Sequence, residues 1–99
     1  MYENFGQFIE GKWQQSSDKS TYEVINPANE EVLGHASKAS SVDVDKALKS
    51  AEKGLEIWKK TSPWKRSSII RNIADLIRAK QDVLAKWITL EVGKPFAEG

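Results

Sequence analysis

The sequence predicts an α/β segment made of two short β-hairpins followed by three α-helices. Three observations predict it. β-Branched and aromatic residues broken by turn-forming glycine, asparagine and proline fill the first third. From Ser40 onward, apolar residues recur every three or four positions, the period of a helix. Helix start and stop residues then divide that stretch into three.

Phe8-Ile9 and Lys12-Trp13 flank Glu10-Gly11, and a glycine between two short apolar segments marks a tight hairpin turn. Gln14 to Ser20 is polar and reads as a loop. Thr21 to Ile25 is the next strand, and it stops at Asn26-Pro27 because proline has no N–H to give to a ladder. Ala28 to Glu30 turns the chain, and Glu31 to Ser37 returns as the second arm of a second hairpin.

Ser40 with Asp43 three residues on forms a capping box, with aspartate in place of the more usual glutamate or glutamine, and opens the first helix. Val44, Ala47, Leu48, Ala51, Leu55 and Trp58 fall on one face of it. Ser62 caps the second helix, with Pro63 in the first-turn position that tolerates proline. Ile69, Ile70, Ile73, Leu76 and Ile77 are its stripe, and Arg66, Arg71, Arg78 and Lys80 are expected away from it. After a break near Gln81 and Asp82, a third helix carries Leu84, Trp87 and Ile88 and stops at Gly93-Lys94-Pro95. The tail from Phe96 to Gly99 has no terminating charge cluster and reads as an interrupted chain.

Composition narrows the function. The chain has 99 residues and a formal net charge of +1, so no strong field draws in nucleic acid or an anionic membrane. Met1 to Gly11 contains Glu3 and Glu10 and no apolar run, which argues against a secretory leader. Apolar runs are a few residues long, far below the ~18 of a membrane span. A soluble, cytoplasmic protein is the expectation. With no cysteine, disulfides, cysteine-ligated zinc and a thiol nucleophile are all excluded from these residues.

Side chains able to do chemistry are few. His35 is the single histidine, in a strand with no motif around it, and its expected role is structural. Trp58, Trp64 and Trp87 fall on or beside the helical stripes, which points to packing rather than to stacking on bases or a cofactor. Lys59-Lys60 and Lys65-Arg66 bracket the joint of the first two helices; phosphate binding is conceivable, but cations also suit a helix C-terminus. Glu91 is the anomaly, because a carboxylate in a last helical turn faces the negative end of the dipole. A cation beside it would resolve this.

The order of motifs is distinctive. Phe8 to Trp13, then Val24-Ile25-Asn26-Pro27-Ala28-Asn29-Glu30-Glu31-Val32-Leu33-Gly34, then Asp43-Val44-Asp45 with Ala47, Trp58, the Ser67 to Arg71 stretch and Glu91 to Pro95 together resemble the start of aldehyde dehydrogenases. Each motif is common, but their order and separation across one chain are specific. The resemblance implies that residues 1–99 open the cofactor-binding domain of a chain several times longer. The rest of that domain, a catalytic domain and a small oligomerisation arm would lie elsewhere. Such enzymes oxidise an aldehyde to a carboxylic acid with NAD or NADP. A cysteine thiolate attacks the carbonyl, hydride passes to nicotinamide, and a glutamate activates water.

No catalytic and no cofactor-binding residue of that scheme is expected in these 99 residues, which have neither a cysteine nor a glycine-containing loop joining strand to helix. The isolated segment is therefore expected to be inactive. The resemblance does imply a metal site: potassium or sodium held at Val24, Ile25 and Glu91. Carbonyl oxygens with one carboxylate suit a hard, weakly held ion. Val92 stands where threonine or asparagine is common before the glycine, which puts the local hydrogen bonding in doubt. The implied partners are the remainder of the enzyme chain, a small aldehyde, and further copies in a dimer or tetramer, with no nucleic acid and no membrane. Which aldehyde, and NAD or NADP, is decided by residues outside this stretch. The competing readings are a stand-alone helical interaction module, or relic without activity, and a small nucleic-acid binder resting only on the two basic pairs.

Overall fold

The computed structural model describes residues 5–99. Met1 and Glu3, part of the leader argument above, lie outside the described residues. The elements are β1 (Gln7–Ile9), β2 (Lys12–Gln14), β3 (Thr21–Ile25), β4 (Val32–Ser37), α1 (Ser41–Lys60), α2 (Pro63–Ala79), α3 (Gln81–Val92) and a single 3₁₀ turn at Phe96–Glu98.

The strands form two separate antiparallel hairpins. In the first, Phe8 pairs with Trp13 and Ile9 with Lys12. Glu10 and Gly11 close the turn, both at positive φ (55° and 75°), the conformation that matches the twist of the flanking strands. In the second hairpin Thr21 pairs with Ser37 and Val24 with Gly34, but Ile25 pairs with Val32. Leu33 is thus an extra residue and the ladder is irregular between Val24 and Ile25. The Asn26 side chain accepts the Ala28 N–H at 2.9 Å, the Asx turn expected of asparagine before proline. Strand β4 begins at Val32 rather than Glu31, because the Glu31 backbone N–H turns to the Asn29 side chain at 3.1 Å.

All three helices follow their end signals. Ser40 and Asp43 form the capping box, Ser62 accepts from the Lys65 N–H, and Gly93 sits in the left-handed region at φ 72° with its N–H on the Thr89 carbonyl at 2.9 Å. The break before α3 is at Lys80, not at Gln81 and Asp82 as the sequence suggests. Lys80 donates back to the Ile77 carbonyl and accepts from the Leu84 N–H, both at 3.0 Å, so one residue completes the corner.

Little of this chain is interior. Among the described residues, Ile9 and Ala85 are the buried apolar residues and Ser16 and Asp43 the buried polar ones. Ala85 is covered by the chain end, where a Cβ on Gly99 would lie 3.1 Å from the Ala85 Cα. Phe5 lies 5.2 Å from Trp13 and 5.6 Å from Trp87, and Phe8 5.2 Å from Trp13. These ring pairs tie the first hairpin to α3. The extents are 48 × 36 × 15 Å, a slab little thicker than one helix, and the radius of gyration of 16.7 Å exceeds the about 13 Å of a compact domain this long.

Candidate functional site

The three residues that the resemblance assigns to a cation lie at the ends of two elements, β3 and α3, whose flanking residues Pro27 and Gly93 approach each other. Val24 and Ile25 end β3 beside the irregular step in the ladder, and Glu91 occupies the last turn of α3. The end of α3 meets the turn after β3: a Cβ on Gly93 would stand 3.4 Å from the Pro27 ring, an ordinary packing distance. Val24 is half-buried, while Ile25 and Glu91 are exposed. Two strand-end carbonyls and a carboxylate are hard oxygen donors, and the donor chemistry fits a weakly held monovalent ion. The described residues hold no cluster of three or more His, Cys, Asp or Glu side chains that would suit a transition metal.

A second polar centre was only half legible in the sequence. The Asp43 carboxylate caps α1 by accepting the Ser40 N–H at 2.9 Å, and it also reaches across 26 residues to the Ser17 N–H at 3.1 Å to each oxygen. Ser17 and Ser40 hydroxyls are 2.7 Å apart. The backbone N–H of Ser40 is the largest cause of an Asp43 pKa lowered to about 2; burial opposes it and the Ser17 N–H adds to it. The adjacent Asp18 is also lowered, chiefly by the Ser20 N–H at 2.9 Å, helped by hydroxyls of Ser20 and Ser16. Both Asp43 oxygens are engaged by the chain itself, so the centre is a structural latch between the loop and α1. The capping box signalled Asp43; no local pattern signals Ser17.

The helix stripes are present but uncovered. Leu48 and Leu55 on α1, and Ile70, Ile73, Leu76 and Ile77 on α2, are each more than half exposed or nearly so. The sequence placed Trp64 on or beside such a stripe; the structure places it elsewhere. Trp64 is 87% exposed among Ser67, Ser68, Arg71 and Asp75, on the polar side of α2, because it lies one residue out of step with Ile69, Ile73 and Leu76 at 3.6 residues per turn. Arg66 departs in the opposite sense. It is half-buried, and its Nε is enclosed with no hydrogen-bond partner, since residue 66 is three before Ile69 and lies on the apolar side. Trp58 keeps to its stripe and is 36% exposed. His35 lies exposed on β4. Lys59 is paired with Glu56 at 2.7 Å in the last turn of α1, the solvated arrangement rather than a phosphate site.

The chain presents caps, a latch and uncovered apolar faces. It belongs to the aldehyde dehydrogenase family, whose model matches residues 13–99. Solved structures agree. A betaine aldehyde dehydrogenase point mutant from Staphylococcus aureus, in complex with NAD+, is 34% identical and superposes with a TM-score of 0.89 over 94% of this chain and 19% of its own. A point mutant of aldehyde dehydrogenase from Bacillus cereus is 33% identical, with a TM-score of 0.92 over 97% and 20%. A 3,6-anhydro-L-galactose dehydrogenase in complex with NADP is 29% identical, with a TM-score of 0.92 over 97% and 20%. The chain spans about a fifth of the length of these structures. No helix among the described residues is long and apolar enough to cross a membrane.

Proposed function

We propose that this chain is the N-terminal segment of a cytoplasmic, oligomeric enzyme that oxidises a small aldehyde to its carboxylic acid with NAD or NADP. It opens the cofactor-binding domain. The reacting groups belong to polypeptide outside these 99 residues, and the segment's own contribution is to support the domain that holds the nucleotide. The observation that carries this reading is the uncovered apolar surface. A compact monomer of this 11.1 kDa mass exposes about 5,700 Å². This chain exposes 8042 Å². The excess, roughly 2,300 Å², is of the size that obligate interfaces bury.

What nicotinamide supplies when bound is a hydride acceptor. The residues present here act at a distance from it. The stripes of α1 and α2 seat against the missing part, and the Ser17–Asp43 latch fixes the loop to the head of α1. The Val24 and Ile25 carbonyls with Glu91 hold potassium or sodium between the end of β3 and the end of α3, offsetting the unfavourable charge at the helix terminus.

Sequencing the gene past the Gly99 codon, and assaying the full product for aldehyde-dependent reduction of NAD and NADP, tests the reading. A cysteine-containing catalytic stretch and turnover are expected. An immediate stop codon with a compact, stable, inactive product would favour the stand-alone module instead.

A further inference from the structure

Helix α2 has two unlike faces, and the polar one carries a side chain that folding does not explain. Ile69, Ile73 and Leu76 define the apolar face. Trp64, Ser68, Arg71, Asp75 and Arg78 recur at steps of three and four and form the opposite one. On the reading above, the apolar face is covered by the rest of the enzyme, which leaves the Trp64 face turned outward; the inference rests on that reading to this extent. Trp64 is the most exposed large apolar side chain described, at 87%. Tryptophan and arginine are the residue types that anchor protein interfaces, and here both stand on one outward stripe.

We propose that the Trp64 face of α2 is a self-recognition surface, pairing antiparallel with the same face of a second copy of this chain. The face is complementary to itself. Arg71 and Asp75, Ser68 and Arg78, and Trp64 and Asp82 are placed symmetrically about residue 73. A two-fold axis there sets Arg71 opposite the partner's Asp75 and Asp75 opposite the partner's Arg71, as an isologous contact requires. The same register carries Trp64 to the partner's corner between α2 and α3. In this chain that corner is an open hollow of about 410 Å³ lined by Arg78, Lys80, Asp82 and Val83. Asp75 is held by Arg78 at 2.9 Å with both side chains about three-quarters exposed, so its carboxylate retains acceptor sites for a second guanidinium.

At 17 residues, α2 is about 25 Å long, and one such helix pair buries less than the ~800 Å² per partner of a stable complex. The pairing is weak alone and adds to an oligomer held by other contacts.

Sedimentation equilibrium of the full-length enzyme, in which further polypeptide covers the apolar faces of α1 and α2, tests it over a wide concentration range. Trp64→Ala weakens association by about tenfold or more. Arg71→Asp and Asp75→Arg, each alone, place like charges opposite one another and weaken it by about tenfold. An equimolar mixture of those two variants associates like the parent, because every acid then faces a base. The double variant Arg71→Asp/Asp75→Arg does the same, and its circular dichroism checks that α2 is intact. Association that ignores Trp64→Ala and both charge reversals, or reversals that mixing does not rescue, overturns the inference. So does shielding of Trp64 only by a different protein. Either result leaves the enzyme reading untouched, since failure of that reading shows instead in the gene beyond Gly99 and in the assay of its full product.

Discussion

The carboxylate of Asp43 accepts the backbone N–H of Ser17 at 3.1 Å on each of its two oxygens, joining the loop after β2 to the first turn of α1. The capping box alone would satisfy α1, so the second grip serves the loop. It makes one buried aspartate the common anchor of the strand-rich and helical parts.

This anchor gives the chain an acid limit. The Asp43 pKa falls from 3.8 to about 2 in the folded state, so the unfolded chain takes up this proton first as pH drops. Its contribution is complete above pH 3.8 and is lost as pH falls toward 2. Asp43→Asn removes the charge and flattens that part of the profile. Hydrogen exchange of the Ser17 amide, followed from pH 5 to pH 2, checks the assignment; protection unchanged by Asp43→Asn would contradict it.

Gly93 is a conformational requirement. Its φ of 72° suits glycine, and a Cβ there would meet only the Pro27 ring at 3.4 Å, so backbone strain rather than collision sets the effect. Gly93→Ala costs about 1 kcal/mol, and Gly93→Asn less, because asparagine tolerates the left-handed region. Denaturant titration of the two variants orders them; equal stability would show that the cap relaxes without strain.

The monovalent ion proposed at Glu91 predicts a linked effect there. In the intact enzyme, replacing potassium by a large organic cation lowers the melting temperature of the parent, while Glu91→Ala lowers it in potassium and removes the response to exchange. Differential scanning calorimetry in the two salts reads both. A parent indifferent to exchange, with Glu91→Ala equally stable, would sink the site.

Alone, the chain is expected to self-associate or fold incompletely. Patches above a few hundred Å² are rarely left in water by a stable monomer. A broad melt whose midpoint moves with concentration is expected, and Ile73→Ser with Leu76→Ser reduces association. A sharp, monomeric, concentration-independent transition would count for a stand-alone module.

Local chemistry determined what the sequence shows on its face. Turns at Glu10-Gly11 and Asn26-Pro27, caps at Ser40, Ser62 and Gly93, and the helical stripes are each written within a few residues, where hydrogen-bonding needs and backbone sterics act. The order of those motifs marked the family. Tertiary structure alone decided the rest. Ser17 finds Asp43 across 26 residues, and the end of α3 comes to Pro27. Periodicity says that a residue has a face; only the packed chain says which face meets water and which awaits a neighbour.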